Sequence, residues 1–170
     1  MKFSTSSNDN LDEFYMSKAL EEARRAFDED EVPVGAVAVY KNRIIGRGHN
    51  QTEQLRDSTA HAEIIAITAA ANALQSWRLQ DVVIYCTIEP CIMCAGALVL
   101  ARVKRIVFGA RDKKFGGCGS IFDIVREKRL NHRIEVVEGV LEREAAGLMK
   151  EFFRMKRKRD EIASHKARSR

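Results

Sequence analysis

The run VVIYCTIE, residues 82–89, constrains the fold of this chain more than any other stretch. It is rich in β-branched residues and lacks polar alternation, the pattern of a strand buried on both faces. Such a strand needs cover on each side, so the rest of the chain must supply two further layers. The strand runs straight into Pro90, a residue suited to a strand-to-helix corner, and CIMCAGALVLAR behind it reads as a short buried helix.

The flanking sequence supplies those layers. Met16, Leu20, Ala23 and Phe27 recur at helical spacing, which predicts an amphipathic helix over residues 11–28. VGAVAVY and RIIGRGH are strand-like runs separated by Lys41 and Asn42, a hairpin with a tight turn. AHAEIIAITAAANALQS reads as a helix with Ser58 or Thr59 as its cap and Glu63 in its first turn. RIVFGA is another buried strand, RDKKFGGCGS a glycine-rich loop and RIEVVEGV a further strand. A long basic helix follows over residues 141–162, and ASHKARSR reads as a frayed tail. The order predicts a three-layer α/β/α domain with a central mixed sheet of about five strands. Residues 1–170 read as a single domain with a short N-terminal extension and a basic C-terminal helix and tail.

Composition narrows the partners. MKFSTSSNDN lacks the apolar stretch of a signal peptide, and no apolar run approaches the ~20 residues of a membrane span, so a cytoplasmic protein with no membrane partner is expected. Four cysteines in such a setting suggest metal ligands, reactive thiols or core residues rather than disulfides. KEFFRMKRKR carries six basic residues against one acid, which points to an anionic partner, nucleic acid foremost.

Two short motifs stand in equivalent settings, each at the start of a helix. Cys91 and Cys94 lie three apart on one face of theirs, where N-terminal amides favour thiolates. His61 stands at the matching end of the earlier helix. One histidine and two cysteines are the ligand count of a catalytic zinc, which keeps one position open. A closed structural site would need a fourth ligand from Cys86, Cys118, His49 or His132, and no second CxxC completes a finger. Glu63, beside that metal, can work as a general acid and base on a water whose pKa zinc lowers to about 7. Cys118 is either an exposed reactive thiol or a small filler.

HAE followed by PCIMC resembles the zinc deaminase pattern. EVPVGAV, GHN, TAHAEI, IEPCIMCAGAL, RIVFGARD, NHR and EFFRMKR further resemble one branch, the bacterial tRNA-specific adenosine deaminases of the cytidine deaminase superfamily, from about Met16 to Arg159. The resemblance implies a cytidine deaminase-like fold, one Zn²⁺ per subunit on His61, Cys91 and Cys94, proton transfer by Glu63, and a homodimer. It implies that the substrate is the wobble adenosine of an arginine tRNA with an ACG anticodon, converted to inosine. It also implies contacts to the flipped nucleoside from Asn50 and Val34, and to the anticodon stem-loop from Asp112, Asn131, His132, Phe153 and Arg154. The backbone amides of Ala62 and Cys91, at helix N-termini, are placed to stabilise a tetrahedral intermediate. Two alternatives remain: a deaminase of free cytidine or guanine, which gains nothing from FFRMKRKR, and a zinc-stabilised RNA-binding module, which has no use for Glu63.

Overall fold

The computed structural model describes residues 7–168. The first six residues, within the expected N-terminal extension, and the last two of the tail lie outside the described residues. Five strands, β1 (Gly35–Tyr40), β2 (Arg43–His49), β3 (Val83–Ile88), β4 (Arg105–Ala110) and β5 (Glu135–Glu138), form one sheet in the order β2-β1-β3-β4-β5. Strand β1 pairs antiparallel with β2 and β3, whereas β3–β4 and β4–β5 are parallel, so the sheet is mixed. The β1–β2 turn works because Lys41 and Asn42 both adopt left-handed φ, 47° and 59°, whose twist matches that of the paired strands.

Helices cover both faces. On one, α1 (Ser7–Asp28) sets Tyr15, Met16 and Ala19 against Val37, Val39, Tyr85 and Val107. On the other, Ala36, Ala38, Ile84, Cys86, Ile106 and Phe108 meet α3 (Ala62–Leu74) and α4 (Ile92–Leu100) through Ala62, Ala66, Ala95 and Leu98. Alternate residues of each central strand serve opposite layers, and both sets are apolar because both are buried. Small residues let α3 lie close to β2. A Cβ on Gly48 would stand 2.2 Å from the Ala62 carbonyl oxygen, so glycine there sets how near the start of α3 comes to the sheet.

Three expectations change. A four-residue helix, α2 (Thr52–Leu55), precedes the longer one and lacked a periodic signal of its own. His61, rather than Ser58 or Thr59, is the N-cap of α3, because the Thr59 N–H and hydroxyl both donate to Asp57 in a turn that delays the helix. The last helix, α5 (Glu142–Arg168), continues through the stretch expected to fray. Its uncharged alanines, 163 and 167, and long side chains are compatible with helix, and no glycine or proline stops it.

Candidate active site

Two helix N-termini meet at the ends of the sheet. His61 is the N-cap of α3 and Cys91 the N-cap of α4, both with extended backbone, and neither uses its side chain as a cap. Their side chains are therefore free to turn toward each other. His61 Nδ1 lies 3.6 Å from Cys91 Sγ and 3.5 Å from Cys94 Sγ. These three are the one group among the described residues whose donor atoms converge in a way that could hold a metal ion. With Zn–S of about 2.3 Å and Zn–N of about 2.05 Å, tetrahedral ligands stand roughly 3.6 Å apart, so the spacing fits that ion.

The electrostatics fit as well. The Cys91 thiol is pulled down to about 4, chiefly by its hydrogen bond with Cys94 and further by His61. Cys94 moves far upward for the same reason, the bond to Cys91, reinforced by burial. The pair thus shares one proton, which a cation would displace. His61 is raised by its bond to Cys91, against the opposing effect of burial.

Glu63 follows in the first turn of α3 and is only 3% exposed. Burial raises its carboxyl to about 7, and its Oε2 is a buried oxygen without a hydrogen-bond partner. An orphaned acceptor of this kind costs stability in the folded state, which makes Glu63 the candidate acid and base of the site.

The other expected residues divide into three groups. Val34 and Asn50 come together, since the Val34 carbonyl accepts the Asn50 N–H at 3.0 Å. Asp112 lies on the loop that joins Cys91: its Oδ1 accepts the Lys114 and Phe115 N–H groups. Asn131 and His132 lie beyond the other end of α4, a helix of nine residues and so about 14 Å long, where His132 Nε2 bonds the Val103 carbonyl at 2.7 Å. On α5, Phe152 is buried against Phe27, whereas Phe153 is 40% exposed and Arg154 is exposed. The FF pair thus splits into one core and one surface residue. Cys118 is 1% exposed, which makes it a core filler and excludes the exposed-thiol reading.

Of the buried carboxylates that the sequence reading did not single out, two, Glu31 and Glu89, hold expected site residues in place. Glu31 accepts from Asn50 Nδ2 at 3.0 Å and from the Gln54 N–H at 2.7 Å. Thr52 Oγ1 also donates to Glu31 while standing 3.1 Å from Asn50 Nδ2. Glu31 thereby dictates which way the Asn50 amide faces, nitrogen inward, because a carboxylate only accepts. Glu89 accepts from the Asp112, Cys118 and Ser120 N–H groups, each at 3.0 Å, and from the Ser120 hydroxyl. Burial works to raise the Glu89 carboxyl, but the donors from Ser120, Asp112 and Cys118 outweigh it and hold it below the usual range. The only sequence signal for Glu89 was an acid at the end of an otherwise apolar strand.

Known proteins resemble this chain in sequence and fold. The family described as MafB19-like deaminase matches residues 10–157. A tRNA-specific adenosine deaminase of Bacillus subtilis (strain 168) is 49% identical over 152 residues, 89% of this chain and 94% of that protein. Another, from Aquifex aeolicus (strain VF5), is 48% identical over 84% of this chain and 93% of its own. A solved structure from studies of A-to-I editing by tRNA deaminases at the wobble position shares 43% identity with a TM-score of 0.77, covering 79% of this chain and 98% of that one. A guanine deaminase from Nitrosomonas europaea, at 24% identity and a TM-score of 0.71, shares the fold. With a His-Cys-Cys group, an adjacent buried glutamate and relatives this similar across nearly its whole described length, the chain belongs to the bacterial tRNA-specific adenosine deaminases of the cytidine deaminase superfamily.

Proposed function

We propose that this protein deaminates the wobble adenosine of an arginine tRNA with an ACG anticodon, yielding inosine and ammonia from adenosine and water. The observation that carries the reading is the buried, unpartnered Oε2 of Glu63 beside three converging metal ligands. A structural metal site has no use for such an oxygen. The named relatives support tRNA over free bases, and exposed Phe153 and Arg154 support a single-stranded partner, which is bound by stacking and by cations.

His61, Cys91 and Cys94 would hold Zn²⁺, one per subunit. When bound there, the ion supplies Lewis acidity and brings the pKa of water toward about 7. Glu63 does the proton work. Its buried carboxyl accepts a proton from water at Oε2 and delivers it to the adenine ring nitrogen; it then takes the proton of the hydroxyl now on carbon 6 and passes it to the departing amine, leaving inosine and ammonia. Val34 forms an apolar wall to the flipped base, and Asn50 orients the nucleoside through its amide oxygen, since its nitrogen is engaged by Glu31 and Thr52. The N–H groups of Ala62 and Cys91, at the starts of α3 and α4, stabilise charge on the tetrahedral carbon's substituents. Asp112, Asn131, His132, Phe153 and Arg154 contact the stem-loop. The family resemblance supports a homodimer acting in the cytoplasm.

The test is to incubate the protein with an unmodified arginine tRNA bearing ACG, and separately with free cytidine and guanine, with a Glu63→Ala sample beside each. Inosine at the wobble position, absent in the variant, is expected. Uridine or xanthine without inosine would assign the protein to small-molecule salvage instead.

A further inference from the structure

The loop between β4 and β5 carries an unexplained aromatic. Phe115 is 61% exposed, on a loop that is otherwise firmly held. The holding begins at its neighbours: Gly116 forms a bridge with Cys91, the Gly117 N–H donates to the Pro90 carbonyl at 2.8 Å, and the Phe115 carbonyl accepts the Ile92 N–H at 3.1 Å. Phe115 is therefore fixed one residue from the strand-like contact with a metal ligand, at the rim of the active site.

Glu89 supplies the rest of the anchorage. Its carboxylate gathers donors from three loop positions, Asp112, Cys118 and Ser120, and the loop wraps it so tightly that a Cβ on Gly116 would stand 2.6 Å from its carboxyl carbon. The Asp112 side chain turns the Lys114 and Phe115 N–H groups inward, at 2.8 and 3.2 Å, which leaves both side chains facing out. Lys113 and Lys114, the two residues before it, are also exposed. A rigid backbone that presents an exposed aromatic directly after two lysines is suited to single-stranded nucleic acid: the ring stacks on a base and the ammonium groups meet phosphates. An apolar ring held this way loses little conformational entropy on binding.

We propose that Phe115 is a stacking platform for a nucleotide flanking the target adenosine, that Lys113 and Lys114 grip the adjoining phosphates, and that Glu89 is the positioning residue that keeps this platform beside Cys91. The proposal rests on the function proposed above and adds a binding surface to it.

The experiment measures the affinity of the zinc-loaded protein for the ACG anticodon stem-loop at several salt concentrations, with deamination kinetics and sedimentation on the same samples. Phe115→Ala is expected to weaken binding about tenfold. The rise should fall on KM with kcat within about twofold, and the salt dependence should stay unchanged, because no charge is lost. Phe115→Trp should restore the affinity. Lys113→Gln with Lys114→Gln should lower the log–log salt slope by about 1.4, near 0.7 for each single-strand phosphate contact. Glu89→Gln should reproduce the Phe115→Ala loss and add little to it in the double variant, the mark of a residue that acts through Phe115. Wild-type turnover together with unchanged Phe115→Ala affinity would overturn the platform alone, as would a loss that sedimentation traces to dissociation of subunits. Wild-type protein that neither binds nor deaminates the stem-loop would overturn the proposed function and the platform with it.

Discussion

The two faces of the sheet each bury an acid, and they treat it in opposite ways. Under α1, Asp12 is 5% exposed and fully engaged: it accepts from the Tyr85 hydroxyl at 2.8 Å and from two Arg105 nitrogens at 2.9 and 2.7 Å. Under α3, Glu63 is as deeply buried but keeps an oxygen without a partner. The first arrangement satisfies its charge and ties α1 to β3 and β4. The second leaves an acceptor unspent, at a cost in stability, beside the three residues that could hold a metal ion. Equal burial therefore says little about role; the count of satisfied acceptors is what singles Glu63 out as the candidate for chemistry and Asp12 as the structural acid.

The contrast breaks most visibly in turnover. Glu63→Gln keeps the shape of the side chain but cannot shuttle a proton, and deamination of the stem-loop should fall at least a thousandfold with zinc content unchanged by elemental analysis. Loss of metal in that variant would mean that Glu63 supports the ligands instead. Asp12→Ala should do the reverse. It strands the Arg105 and Tyr85 donors, so denaturant unfolding should show a loss of about 3 kcal/mol while kcat stays within twofold.

A subtler separation lies in pH. In metal-free protein the folded Glu63 carboxyl sits at about 7, above its usual 4.5. Between those values the folded chain binds a proton that the unfolded chain has released, so Glu63 makes stability fall as pH rises. Cys91, held at about 4, pushes the other way, so the informative quantity is a difference between two proteins. The stability of metal-free Glu63→Gln relative to wild type should climb from pH 4.5 to 7 by at most about 3 kcal/mol and then level off. A flat difference across that range would show that the Glu63 carboxyl titrates normally. The smallest effect is expected at Cys118: burial raises its thiol, so a thiol reagent should leave it unmodified in the native state, and Cys118→Ala should cost about 1 kcal/mol without changing turnover.

What could be read in advance and what could not follow one physical division. Strands β1, β3 and β4 were legible because apolar runs with β-branched residues carry their burial in their own composition, and β2 because it follows β1 across a two-residue turn. The candidate metal group was legible because Cys91 and Cys94 stand three apart, about one helix turn, and His61 opens the other helix whose start faces theirs. Glu31 and Glu89 were not legible. Each takes its meaning from donors about 20 to 30 positions away, Asn50 and Gln54 in one case, Asp112, Cys118 and Ser120 in the other, and no local pattern records such a pairing. The cap of α3 was misplaced for a related reason: Thr59 has the chemistry of a cap, but Asp57 claims it first.

The same division separates Phe152 from Phe153. Adjacent positions on a helix point about 100° apart, so one of two identical residues meets Phe27 in the core and its neighbour meets solvent. By itself the sequence determined the layered α/β architecture and pointed to His61, Cys91 and Cys94 as a group that could hold a metal, with Glu63 beside it, because periodicity and short-range spacing act within a few residues. Only the tertiary structure decided which buried acid stays unsatisfied, which aromatic faces outward and which carboxylate holds the loop at Cys91, because those outcomes depend on partners brought together from distant parts of the chain.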